Sequence, residues 1–99
     1  MAINLDITVV TTTPYTISVD DSVLLVNVPG SAIVKLPSGS GGNEKRSYII
    51  KDVSGHSTTN PITITANGGR LIDGAAFAML NGGYSHIQVI SNGSTWFTI

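Results

Sequence analysis

The stretch Tyr48–Gly74, YIIKDVSGHSTTNPITITANGGRLIDG, decides how this chain of 99 residues is read. Its two apolar runs, Tyr48-Ile49-Ile50 and Ile62-Thr63-Ile64-Thr65, are rich in β-branched side chains, which suit a pleated, half-buried surface. Between them lies a loop of Ser, Gly, His, Thr and Asn, and Asn67-Gly68-Gly69 supplies a tight turn. The pattern predicts strand, polar loop, strand, turn and short strand. It offers loops to solvent or to a partner, and no evident catalytic grouping.

The rest of the chain extends the pattern. Val, Ile and Thr supply 32 of the 99 residues, and no window sustains a helical period, so the fold is expected to be all-β. At the N-terminus, MAINLDITVV alternates, with Ile3, Leu5, Ile7 and Val9 on one side and Asn4, Asp6 and Thr8 on the other, as in a half-buried strand. Pro14 then interrupts pairing, because proline has no N–H to donate. Tyr15, Ile17 and Val19 alternate with Thr16 and Ser18 up to a turn at Asp20-Asp21-Ser22. The segment Val23–Val28 is apolar on both faces, which places it centrally or under a neighbouring subunit.

Pro29-Gly30 turns the chain into a strand over Ala32–Leu36, closed by Pro37. Ala75–Leu80 is too short between Gly74 and Asn81-Gly82-Gly83 for an ordinary helix, so a strand or bridge is expected. Tyr84–Ser91 alternates, Asn92-Gly93 signals a hairpin, and Ser94–Ile99 returns as the last strand. Trp96 and Phe97 then fall on opposite faces, so at least one aromatic lies outside the chain's own core. These turn signals predict roughly eight to ten short strands, in a small antiparallel β-sandwich or barrel-like domain. Residues 1–14 read as an extended arm and 15–99 as a single β-domain.

Composition narrows the function. Charged residues make up 11% of the chain, against about 25% in an average soluble domain. Ser, Thr, Asn and Gly cover surface that Lys and Glu ordinarily cover. With a net charge of −1, such an exterior favours association over a free monomer. It also argues against nucleic acid, since phosphate recognition needs a concentrated basic patch and Lys45-Arg46 is the only adjacent basic pair. Cysteine is absent, which removes disulfides and thiolate metal sites. His56 and His86 lie in different segments with no third ligand spaced to join them, so no metal is expected. A domain of this length buries little more than about 60% of its unfolded surface, and other copies are the expected source of extra stability. The N-terminus has no basic region, and Asn4 and Asp6 interrupt its apolar residues, so neither a signal peptide nor a membrane anchor is predicted.

No reaction centre emerges. Ser38-Gly39-Ser40-Gly41-Gly42-Asn43 suggests a phosphate loop, but Asn43 and Glu44 separate Gly42 from Lys45, Arg46 precedes Ser47, and no helix follows. A mobile hairpin loop is the expected reading. Asp52 and Asp73 stand at strand ends, where Asp bonds backbone amides in turns, and nothing pairs either with a second carboxylate across a groove, as a glycosidase would require. His56 and His86 read as exposed polar residues, and no nucleophile elbow is present. Neither a catalytic residue nor a cofactor is predicted.

The successions Tyr48–Gly55, Asn60–Ile64, Leu71–Ala75 and Val89–Trp96, with Tyr15–Val19, Val23–Val26 and Val34–Pro37 upstream, resemble a β-module of virion structural proteins of tailed bacteriophages. The resemblance covers roughly Tyr15 to Ile99. It implies a trimeric, non-enzymatic β-domain serving as architecture. Fibre modules usually sit within much longer chains, whereas this sequence starts at Met1 and stops with its last strand. The expectation is therefore a homotrimeric capsid decoration, or cement, protein on the virion surface, whose partners are its own copies and the major capsid protein or other virion proteins. A tail-fibre or baseplate module is the alternative, and a glycan-binding module using Tyr84 or Trp96 as a stacking platform is a third. The interface residues expected are Ile3, Leu5, Ile7, Val9, Leu24, Val26 and Trp96.

Overall fold

The computed structural model describes residues 7–17, 23–37, 47–92 and 95–99. Among them the chain forms β1 (Ile7–Val10), β2 (Tyr15–Thr16), β3 (Val23–Val26), β4 (Ala32–Leu36), β5 (Ser47–Asp52), β6 (Ile62–Ala66), β7 (Phe77–Leu80), β8 (His86–Ser91) and β9 (Trp96–Thr98). One 3-10 turn at Asn67–Gly69 follows β6, and there is no α-helix among the described residues. Gly68 and Gly69 both take positive φ there, 74° and 73°, a conformation that side chains with a Cβ resist.

The strands form two sheets, in the order β1-β3-β5-β8-β9 and β2-β4-β6-β7. From β1 through β6 the chain changes sheet at every connection. In consequence β1, β3 and β5 run parallel in one sheet, and β2, β4 and β6 run parallel in the other. Each pair β1-β2, β3-β4 and β5-β6 is one coil of a two-sheeted stack. The stack then closes with reversed strands: β7 is antiparallel to β6, β8 to β5, and β9 to β8.

The expected antiparallel arrangement is thus corrected to two mixed sheets. The turn signals are real, but most carry the chain across to the opposite sheet instead of back along the same one. A parallel neighbour requires a long crossover, and here the strand in the other sheet is that crossover. The coils are also unequal: Val10 pairs with Val26, and Val26 with Asp52, so successive partners are not equally spaced in the chain.

Between the sheets lies one core. On one side Leu24 pairs with Ile50 and Ile50 with Ile87; on the other Val34 pairs with Ile64 and Ile64 with Ala78. Leu24, Ile50, Val34 and Ile64 are wholly buried, and each such side chain stabilises the fold by about 1.5–3 kcal/mol. Tyr48 and Trp96 meet at the closing end with ring centroids 5.9 Å apart and planes tilted by 37°, a favourable aromatic geometry. Ile72 bridges to both Ala75 and Trp96, so the segment expected as a short strand is an isolated bridge that fastens β9. Phe77–Leu80 is a strand, as the short span between glycines required.

From Ile7 the expected arm is a strand of the five-stranded sheet, with Val10 in the core. The alternation also points the other way from a simple reading of its apolar side. Thr8 and Val10 face Leu24 and Val26 in register, which leaves Ile7 and Val9 outside, 60% and 57% exposed. Residues 1–6, with Ile3 and Leu5, lie outside the described residues, as does the glycine-rich loop at 38–43.

Candidate functional site

The most densely bonded polar group stands where β5 ends. The inward row Val10–Val26 continues in register to Asp52, so an aspartate occupies a core position and is completely buried. An ion there is costly unless fully hydrogen-bonded, and five donors meet it. Oδ1 accepts from the Ser54 amide (3.0 Å), the Ser54 hydroxyl (2.7 Å) and the Gly55 amide (3.0 Å). Oδ2 accepts from the amides of Ser57 (3.0 Å) and Tyr84 (3.2 Å). Burial pushes the carboxyl's pKa up, but the bonds from Ser57, Ser54 and the Tyr84 amide outweigh it and hold the group well below the usual carboxylate range. The local sequence explains the first turn, because Asp readily bonds amides two and three residues on.

Asp52 thereby ties two loops together, 53–61 between β5 and β6 and 81–85 between β7 and β8. Further bonds complete the junction. The Ser57 hydroxyl donates to the Gly82 carbonyl at 2.7 Å, and the Gly83 amide donates to Thr58 Oγ1 at 2.9 Å. A Cβ on Gly83 would stand 2.8 Å from the Gly55 carbonyl oxygen, an approach close enough to require glycine, and Gly55 itself takes a positive φ of 78°. Tyr84 has φ 63°, a left-handed conformation that costs an L-residue about 1–2 kcal/mol. Its amide is held by Asp52, and its carbonyl accepts the Lys51 ammonium. The ring rests against Gly55 and is 62% exposed.

Asp73 does similar work beside β9. It too has a left-handed φ, 51°, which Asp tolerates in turns, and its carboxylate accepts both the Thr98 amide, at 3.1 Å, and the Thr98 hydroxyl. The last strand is anchored by this contact. Asp52 and Asp73 therefore serve as loop fasteners, as the turn chemistry predicted. His56 is exposed in the 53–61 loop and His86 is exposed on β8, and no group of three metal-ligating side chains occurs among the described residues.

The residues expected at an interface divide into three sets. Ile7 and Val9 stand outside on the edge strand β1. Leu24, Val26 and Trp96 are at most 1% exposed; they belong to the chain's own core, and Trp96 is no stacking platform. Ile3 and Leu5 fall outside the described residues. Val23, Leu25, Ile49, Ile90 and Phe97, of opposite parity on the same strands, face away from the core. The signal was present in the doubly apolar run Val23–Val26 and in the Trp96-Phe97 pair, but neither says which parity faces inward.

No protein-family model and no curated protein sequence matches this chain.

Proposed function

We propose that this chain is a non-enzymatic structural protein of a tailed-bacteriophage virion, a trimeric decoration protein that reinforces the capsid surface. The observation that carries the reading is how its polar groups are used. Asp52 and Asp73, the carboxylates best placed for chemistry by burial or loop position, spend their acceptor capacity on loop amides and hydroxyls. An acid or base needs a free position within reach of a substrate, and the fully bonded Asp52 has none. What these bonds achieve is rigidity.

The low charge of the chain supports the same reading, since a neutral, hydroxyl-rich exterior suits permanent packing in an assembly. So does the sequence resemblance to phage β-modules over Tyr15–Ile99. The partners proposed are other copies of the chain and the major capsid protein. The test is quantitative mass spectrometry of purified particles. Decoration requires the chain in simple proportion to the capsid protein; abundance at the level of tail proteins would transfer the role to a fibre or baseplate module, and absence from particles would end the virion reading.

A further inference from the structure

We infer that Asn67-Gly68 is a site of self-modification, where the asparagine deamidates through a cyclic imide to aspartate and isoaspartate. The other two Asn-Gly pairs are held against the same reaction by the fold. The inference does not rest on the virion reading.

The chemistry is set by sequence. Asn67, Asn81 and Asn92 each precede glycine, whose backbone nitrogen is the least shielded because the residue has no Cβ. Solvent hydroxide removes the glycine amide proton, and the nitrogen attacks the asparagine Cγ. The bond from Cγ to the side-chain nitrogen breaks and ammonia leaves, which closes a five-membered imide. Water then opens the ring. Opening at the side-chain carbonyl gives aspartate in a normal chain; opening at the main-chain carbonyl gives isoaspartate, with the chain rerouted through the side chain. Water is consumed and ammonia released in equal amounts, and nothing is oxidised.

Geometry separates the three pairs. Closing the imide requires the glycine nitrogen to come onto Cγ, so the side chain must be free and the backbone between the two residues must turn. At Asn92 the side chain is engaged. Its Oδ1 accepts the Thr95 amide at 3.0 Å, and its own amide donates to the Thr95 carbonyl at 3.2 Å. At Asn81 the side chain is exposed, but the residue that must move is clamped. The Gly82 carbonyl accepts the Ser85 amide at 3.0 Å and the hydroxyls of Ser57 and Ser85, and the neighbouring Gly83 amide donates to Thr58 Oγ1.

Asn67 has neither restraint. Among the described residues nothing bonds its side chain, and no hydrogen bond from another loop reaches Gly68 or Gly69. Both glycines are exposed, and a Cβ built on Gly69 would meet no atom within 4 Å. The turn therefore has room to close the ring. Asp73-Gly74, the one Asp-Gly pair able to form the same imide, is held by Thr98 on its carboxylate. Conversion of Asn67 adds a negative charge to a chain whose formal net charge is −1, in a turn with no buried residue, so it alters the surface and spares the core.

The test is peptide mapping by mass spectrometry of the full chain aged in mildly alkaline buffer, once folded and once in urea. Isoaspartyl methyltransferase labelling identifies the isoaspartate. In urea the three pairs are expected to react at similar rates. In the folded chain Asn67 is expected to react at least about tenfold faster than Asn81 and Asn92, with an acidic species growing at the same rate on isoelectric focusing. Asn81 or Asn92 keeping pace with Asn67 in the folded chain overturns the inference, as does an Asn67 that reacts in urea and stays intact when folded. A preference for Asn67 that persists undiminished in urea would belong to local sequence and also overturns it. Absence from virions would remove the phage reading and leave the outcome of this experiment intact.

Discussion

At the scale of single residues, one buried carboxylate organises the loop end of the molecule. Replacing Asp52 by Ala strips the partner from several amides at once, and an unsatisfied buried donor costs about 1–3 kcal/mol. With partial rehydration of the loops, we expect Asp52→Ala to lower unfolding stability by about 2–4 kcal/mol in urea titration. The pH dependence has a definite sign. The folded pKa of Asp52 lies below its unfolded value of 3.8, so its contribution is present in full above that value and is lost as pH falls from it towards the folded pKa. Wild type should lose stability there with a slope of up to about 1.4 kcal/mol per pH unit from this group, and Asp52→Asn should lack that component. Equal slopes in the two proteins would show that the carboxylate is not the fastener. Gly83→Ala offers a second check, since its Cβ meets backbone at 2.8 Å; a loss of about 1–3 kcal/mol is expected. The turn role of Asp52 was legible in Asp-Val-Ser-Gly. Its reach to Tyr84 was not, because Tyr84 lies 32 residues away in sequence and only the antiparallel pairing of β8 with β5 brings the two together.

At the scale of elements, the strands themselves were readable wherever a run was bounded by Pro or Gly. Ala32–Leu36, between Pro29-Gly30 and Pro37, is found as read. Pairing partners were harder, because the turn chemistry of a hairpin and of a sheet-to-sheet corner is the same. β1 shows the consequence. Read as an arm, it would serve attachment and leave the β-core folded when removed; paired with β3 and carrying Val10 into the core, it is part of that core. Deleting Met1–Val10 removes a buried valine, about 1.5–3 kcal/mol, and uncovers one edge of β3. Calorimetry should show the melting temperature fall by at least about 5 °C; an unchanged value would restore the detachable arm. At the closing end, Trp96→Ala should cost about 3–5 kcal/mol, measured by denaturant unfolding, since the side chain packs on Tyr48 and its strand is held by Leu71 and Asp73.

At the scale of the whole molecule, the all-β class followed from composition and period, while the stacked two-sheet topology did not. Coils of unequal length leave no internal repeat to detect, so the regularity exists in space and not in the sequence. The apolar exterior was half visible. Runs such as Val23–Val26 announce that both faces are apolar, but with one face already in the core the other can be assigned only when parity is known. We propose a rigid block whose loops are locked by Asp52 and which assembles with other copies on a phage capsid. The central claim is architectural, and a reconstruction of the particle tests it most directly. We predict density for three copies around a threefold position on the capsid surface. Single, separated copies would contradict it.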